Sequence, residues 1–253
     1  MKKKITEGIA LLADLILPRT CITCGQRLLR HERHLCLGCL MDLPLTYFWQ
    51  RSHNPMADRF NEIIQKTIDT GISPHEPYAY AAALFNYSSE GACRLIPYQI
   101  KYHGNTEAGI YFGRMLGMKL AGSDYLKDVD MIIPVPLHWT REWKRGYNQA
   151  AMIAEGVAAA MDVPMRTDLM ARRKRTQTQT RLDIEGKARN VAGAFAIRKD
   201  KLPENSSTIR HILLIDDVFT TGSTLHACFV ALRSVFPPSV RISVATLGFV
   251  GGG

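Results

Sequence analysis

No stretch of this 253-residue chain approaches the roughly 18 uncharged apolar residues that a membrane-spanning helix requires. Internal repeats and low-complexity tracts are also missing, which sets aside solenoids and compositionally biased tails. The segment "MKKKITEGIALLADLILPRTC" has a basic start and an apolar middle, but Glu7 and Asp14 interrupt it and no small-residue cleavage site precedes Cys21. A secretory leader is therefore disfavoured. Ile5, Ile9, Leu12 and Ile16 recur at the spacing of one helix face, which predicts an amphipathic helix packed on the body. The expected location is cytoplasmic. Acid is scarce relative to base: 23 Asp and Glu stand against 32 Lys and Arg, for a net charge of +9.

That imbalance would suit an anionic partner, and its position says more than its size. Between Arg166 and Lys201 there are 11 basic and 4 acidic residues, a net of +7 concentrated around "ARRKRTQTQTR". A solvated loop and a mobile basic loop that meets phosphates both remain open, and the concentration favours the second. Hydrophobic content of 46% and charged content of 22% are ordinary for a folded soluble protein. The length suffices for one large domain, or one domain and a small module.

Four of the six cysteines form Cys-x2-Cys-x11-Cys-x2-Cys: Cys21, Cys24, Cys36 and Cys39. Two such knuckles let four thiolates surround one zinc ion tetrahedrally. Disulfides are the alternative, disfavoured by the lack of a secretory signal. Four thiolates with Zn²⁺ would lower the net charge from +9 to about +7. His31 and His34, inside the spacer, are expected to be exposed bystanders, and Cys93 and Cys228 small core residues. A closed four-thiolate site is structural and catalyses nothing.

Residues 61–72 read as a short helix, 75–91 as an apolar, aromatic strand and turn, 92–105 as a helix, and 106–122 as another capped by Thr106. Beyond them, strands "VDMIIPVPL", "GAFAI", "RHILLIDDV" and "RISVATLGFV" alternate with helices "GYNQAAMIAEGVAAAMD" and "STLHACFVALRSVF". This is the pattern of an α/β fold, a parallel sheet flanked by helices. Ligands of such sheets bind at the carboxyl ends of the strands, where "PVPLHW" and "DDVFTTGST" both fall.

The second of these carries the chemistry. The run "HILLI" is apolar enough to lie inside the sheet, so Asp216 and Asp217 emerge at its edge and Thr220, Thr221, Gly222, Ser223 and Thr224 turn into a helix. Glycine admits close approach, and the helix start offers N–H donors to a phosphate monoester. The two carboxylates can accept hydrogen bonds from neighbouring sugar hydroxyls. Simple helix capping would use one hydroxyl and no paired acids.

"LLIDDVFTTGST" resembles the phosphoribosyl pyrophosphate signature of type I phosphoribosyltransferases. The chain as a whole resembles the ComF family of competence proteins and their gluconate-utilisation relatives. Its shared features are "CITC" and "CLGC", "KYHG" at 101–104, "PVPLHWTREWKRGYNQA" at 134–150 and "RTQTQTRLDIEGKARNVAGAF" at 175–195. The resemblance implies a zinc module over 1–50, a connection over 51–77, and a phosphoribosyltransferase-like domain over 78–250. It implies that Asp216 and Asp217 are catalytic and hold the ribose hydroxyls, one through Mg²⁺, and that Thr220 to Thr224 cradle the 5-phosphate. Backbone groups of Val135, Pro136 and Leu137 would face the diphosphate. The basic stretch, with Arg173, Lys174 and Arg175, would close over the site. Arg145, Asn148 and Gln149 are shared positions at the same edge, although Arg145 could simply pair with an acid and Asn148 simply cap a helix.

Two functions follow from the resemblance. One is phosphoribosyl transfer to an unidentified acceptor, for which the sequence supplies no base-reading motif. The other is an accessory role with single-stranded DNA and other competence proteins, in which the basic loop grips phosphates and Trp139, Trp143 and Tyr147 stack bases. Sheet-edge packing is the expected role of at least two of those three aromatics.

Overall fold

The computed structural model describes residues 18–68, 76–173, 193–204 and 206–251. The helix expected over 5–16, Lys174, Arg175 and the rest of the basic stretch to 181 lie outside them. Among the described residues no helix is long and apolar enough to cross a membrane.

The core is a four-stranded parallel sheet. β1 (Ala81–Asn86), β2 (Met131–Pro134), β5 (His211–Phe219) and β6 (Arg241–Phe249) are ordered β1-β6-β5-β2. Ala81 to Phe85 and Ile212 to Ile215 are buried continuously rather than alternately. Helices cover both faces, so neither face of these strands meets water. The short strand at "GAFAI" corrects the expectation that it joins this sheet: β4 (Phe195–Ile197) pairs antiparallel with β3 (Met170–Arg172) as a separate ribbon. A three-residue strand pairs with whatever edge the chain delivers, and periodicity cannot say which.

α1 (Leu37–Met41) follows the second cysteine knuckle. α2 (Pro55–Ile68) starts earlier than its apolar pattern suggests. Asn54 accepts hydrogen bonds from the N–H groups of Met56 and Ala57, and Pro55 fills the first helical position. Asn54 also donates to the Ala81 carbonyl at 3.0 Å, tying this start to β1. α3 (Leu95–Tyr102) and α4 (Thr106–Ala121) lie where expected, but Asn105 rather than Thr106 caps α4, accepting from the Ala108 N–H. α5 (Trp139–Arg145) is a seven-residue helix that the sequence pattern does not reveal. α6 (Gln149–Met161) and α7 (Ser223–Arg233) complete the layers.

α4 and α6 pack backbone to backbone. A Cβ added to Gly113 would sit 2.1 Å from the Ile153 carbonyl oxygen, and one on Gly156 would sit 2.1 Å from that of Ile110. Either addition forces the helices apart, so these glycines set their spacing. The cysteine-rich segment is joined to the sheet as well. Leu45 bridges Phe85, Asn86 N–H donates to the Pro44 carbonyl at 2.8 Å, and Phe48 meets Phe249 edge-on at 5.3 Å.

Candidate functional site

The sulfur atoms of Cys21, Cys24, Cys36 and Cys39 all lie within 4.8 Å of one another, and those of Cys24 and Cys36 are 3.7 Å apart. Zinc–sulfur bonds of about 2.3 Å in a tetrahedron place sulfurs about 3.8 Å apart, so the cluster fits zinc. All four are free cysteines, too far apart at this edge for a disulfide. Backbone turns form the cage: Gly25 N–H donates to the Cys21 carbonyl, and Leu40 N–H to that of Cys36, each at 2.9 Å. Glu32 braces the spacer by accepting from Leu29 and Leu37 N–H at 2.6 and 2.7 Å, bonds that hold its carboxyl below the usual range.

Electrostatics also favour a cation here. Burial opposes the Cys21 thiolate, but hydrogen bonds from Thr23 and the backbone of Cys36, Cys24 and Thr23 outweigh it and bring the thiol down to about 6. For Cys39 a Thr23 hydrogen bond favours the thiolate, yet burial and the other three thiols push it up to about 12. Four sulfurs in one cluster cannot all ionise alone, and a divalent ion removes that conflict. His31 is exposed as expected. His34 stands outside the cysteine cluster as expected but is not exposed: it is half-buried against Tyr111, with ring centroids 5.1 Å apart, so packing on α4 accounts for it.

The second centre lies at the carboxyl end of β5. β2 accompanies β5 only to Ile215, whereas β6 continues alongside to Phe219. Asp216 and Asp217 therefore stand within the strand, but past the end of one neighbour. With Thr220 and Thr224 they line a cleft of about 880 Å³, closed on its other side by Arg94, Tyr98, Lys101 and Tyr102. Burial, then the neighbouring Asp217 charge, pushes the Asp216 carboxyl up to about 7, against the opposing influence of the Asp217 N–H, Lys101 and Arg172. The Lys101 ammonium stands 4.0 Å from Asp217 Oδ2.

The loop behind the acids is held open. Gly222 has φ of +77°, and an added Cβ there would lie 2.8 Å from the Phe219 ring. Thr221 and Ser223 hydroxyls are 2.9 Å apart, and Arg59 donates to the Thr220 carbonyl at 3.1 Å and the Val250 carbonyl at 3.3 Å.

Other expected residues stand at the same sheet edge in different roles. Val135 N–H donates to the Ile215 carbonyl at 2.8 Å, and its own carbonyl accepts from Asn148 at 3.0 Å. Asn148 also caps α6 through the Ala150 N–H. Pro136 and Leu137 are half-buried beside it. Among the described residues Arg145 pairs with no acid; it donates to the buried Gln149 side chain, and its guanidinium lies 5.8 Å from the Tyr102 ring centroid. Arg173 is exposed at the end of β3.

Sequence reasoning missed the α3 wall. Tyr98, Lys101 and Tyr102 recur at helical spacing on the face opposite buried Ile96, Pro97 and Ile100, a signal present in "KYHG" and the residues before it. A second cavity of about 390 Å³ adjoins this wall, lined by Lys101, Tyr102, Arg141, Lys144 and Arg145 and, among the described residues, by no acid. On α5, Trp139 and Trp143 are 70% and 87% exposed, which overturns their expected sheet-edge packing; only Tyr147 is held inward, donating to the Ile100 carbonyl. A seven-residue helix standing off the sheet edge leaves such side chains no wall to pack on.

No family model matches the chain. Competence protein F of Haemophilus influenzae is 36% identical over 117 residues, 46% of this chain and 50% of that protein. The DNA utilization protein YhgH of Escherichia coli O157:H7 is 27% identical over 208 residues, 81% and 80% of the two chains. Competence protein ComFC of Bacillus subtilis is 32% identical over 96 residues, 38% of this chain and 35% of that one. Apart from the longer E. coli match, the chain spans about half the length or less of these curated relatives. The chain is thus similar to competence and DNA utilization proteins of three separate bacteria, and its four-cysteine cluster fits zinc, in keeping with the resemblance to the ComF family.

Proposed function

We propose that the cleft over β5 binds phosphoribosyl pyrophosphate with Mg²⁺, in a protein whose role belongs to DNA utilisation and competence. The observation that carries this is the convergence of Asp216, Asp217, Thr220 and Thr224 with Lys101 in one cleft that shares Lys101 and Tyr102 with a basic cavity. Thr220 to Thr224 would take the 5-phosphate, the acid pair the ribose hydroxyls, and the cations of α3 and α5 the diphosphate. Mg²⁺ bound with the diphosphate would neutralise the leaving group. If transfer occurs, positive charge grows on the sugar ring as diphosphate departs, and the two carboxylates favour that charge electrostatically.

Titration calorimetry with phosphoribosyl pyrophosphate tests the binding. Wild-type protein should bind in Mg²⁺, and Asp216→Asn/Asp217→Asn should weaken binding about a thousandfold, or about 4 kcal/mol. No heat from wild-type protein, with or without Mg²⁺, would overturn the reading. Pyrophosphate release in the presence of candidate nucleobases then decides whether binding leads to transfer.

A second reading, the handling of single-stranded DNA, rests on the exposed Trp139 and Trp143, one helical turn apart on α5 beside the basic cavity. Exposed aromatics next to cations suit bases stacked along a phosphate backbone. Anisotropy with a labelled single strand should weaken steeply with salt, and Trp139→Ala/Trp143→Ala should cost about tenfold or more. Indifference to that pair, and to Ala at Arg172 through Arg175, would remove this reading.

A further inference from the structure

A separate cavity of about 630 Å³ lies where the cysteine-rich segment meets α4, lined by residues that include Arg19, Ile22, Arg33, His34, Tyr111 and Arg114. It shares no lining residue with the cleft over β5. Its volume falls within the roughly 300–1,000 Å³ usual for small-molecule sites.

The wall from α4 is built by helical periodicity. Glu107, Ile110, Tyr111 and Arg114 recur at i, i+3, i+4 and i+7 and all line the cavity, while Gly109, Gly113 and Gly117 on another face press against α6. Ile22 and Leu28 supply the facing wall from the first cysteine turn. One side is thus apolar, with an aromatic ring.

The rim is cationic. Among the described residues the lining carries three guanidinium groups, on Arg19, Arg33 and Arg114, and one carboxylate, on Glu107. Arg19 already donates to the Glu32 carbonyl at 3.0 Å. Arg33 and Arg114 have no hydrogen bond or ion pair among the described residues. Like charges gathered around a concavity repel until an anion joins them. Guanidinium forks match phosphate oxygens, and a flat ring fits an apolar wall beside tyrosine.

We propose that this cavity is a second ligand site and takes a nucleoside diphosphate or triphosphate. The base lies against Ile22, Ile110 and Tyr111, and the phosphates sit between Arg33 and Arg114. Arg33 belongs to the cysteine spacer and Arg114 to α4, so the bound nucleotide clamps one to the other. The site stands on residues outside the β5 cleft and does not depend on what that cleft binds.

The probe is N-methylanthraniloyl-ADP, titrated by fluorescence into the zinc-loaded full chain with excess ribose 5-phosphate present to fill the other cleft. Saturable binding is expected, weakened tenfold or more by Arg33→Ala/Arg114→Ala and unchanged by Asp216→Asn. Absence of saturable binding, or binding insensitive to the two arginines, overturns the proposal. Should the double variant lose zinc, Arg114→Gln, changed on α4 alone, decides in its place: at least threefold weakening supports the site, and no change overturns it.

Discussion

The cysteine cluster and the acidic cleft are assembled in opposite ways. All four sulfurs come from one short span, Cys21 to Cys39, and each knuckle is closed by its own backbone turn. The cleft draws Tyr98 and Lys101 from α3, Arg94 from the turn before it, the acids from β5, and the threonines from the loop after it and the start of α7, so it exists only once the sheet has formed. A local site is specified by spacing and a metal. A distributed one depends on the packing that brings its parts together. None of the cleft's lining residues comes from the cysteine-rich segment.

That independence can be broken by experiment, and the largest effect is expected there. Cys36→Ser removes one of four thiolates, and zinc content should fall with it. The melting temperature should drop by roughly 10 °C or more, since structural zinc contributes folding free energy directly. Affinity for phosphoribosyl pyrophosphate, measured well below the new transition, should change less than about threefold, under 1 kcal/mol. A parallel collapse of affinity would mean that the cysteine-rich segment supports the cleft through its contacts with α4 and β1.

The contrast in assembly also explains what could be read from sequence. Four cysteines at fixed spacing, the apolar run of β5 with its paired acids, and the long helices α4, α6 and α7 all announce themselves through local pattern. What escaped depends on tertiary neighbours. His34 looks like a spacer residue until α4 brings Tyr111 beside it. Asn105 wins the α4 cap from Thr106 because its side chain reaches the Ala108 N–H. Trp139 and Trp143 looked apolar enough to pack, but α5 leaves them exposed. Lys101 becomes part of a site only because Asp217 is delivered opposite it.

Within β5 the comparison narrows to the two ends of one strand, with an intermediate expected effect. At the amino end His211 is buried, its Nε2 is 2.7 Å from Ser243 Oγ, and burial with the Arg241 charge lowers its pKa to about 4. The unfolded chain takes up that proton first, at its ordinary pKa near 6.5. His211 therefore costs stability as pH falls from about 6.5 toward 4, by up to about 3 kcal/mol. At the carboxyl end Asp216 is raised to about 7, so the folded state holds its proton longer. Its contribution favours folding at low pH and is lost as pH rises from its ordinary value near 3.8 to about 7.

The two slopes oppose each other between pH 4 and 6.5. Urea denaturation of the ligand-free protein should show a shallow net dependence there. His211→Gln should make stability rise as pH falls, and Asp216→Asn should make the fall steeper. Parallel curves for wild type and both variants would mean that neither end of the strand titrates as its surroundings dictate.

The smallest effect tests the join between the acidic and basic halves of the cleft. Lys101 lines both cavities, stands 4.0 Å from Asp217 Oδ2, and has its ammonium 5.8 Å from the Tyr102 ring centroid. Lys101→Ala should weaken phosphoribosyl pyrophosphate binding about tenfold, or about 1.4 kcal/mol, without shifting the melting temperature by more than about 2 °C. The informative quantity is a ratio. Ribose 5-phosphate carries no diphosphate, so if Lys101 meets the leaving group directly, its affinity should change far less than that of the activated sugar. Equal losses for both ligands would assign Lys101 to tuning Asp216, whose ionisation it favours, and the diphosphate would then depend on Arg141, Lys144 and Arg145 alone.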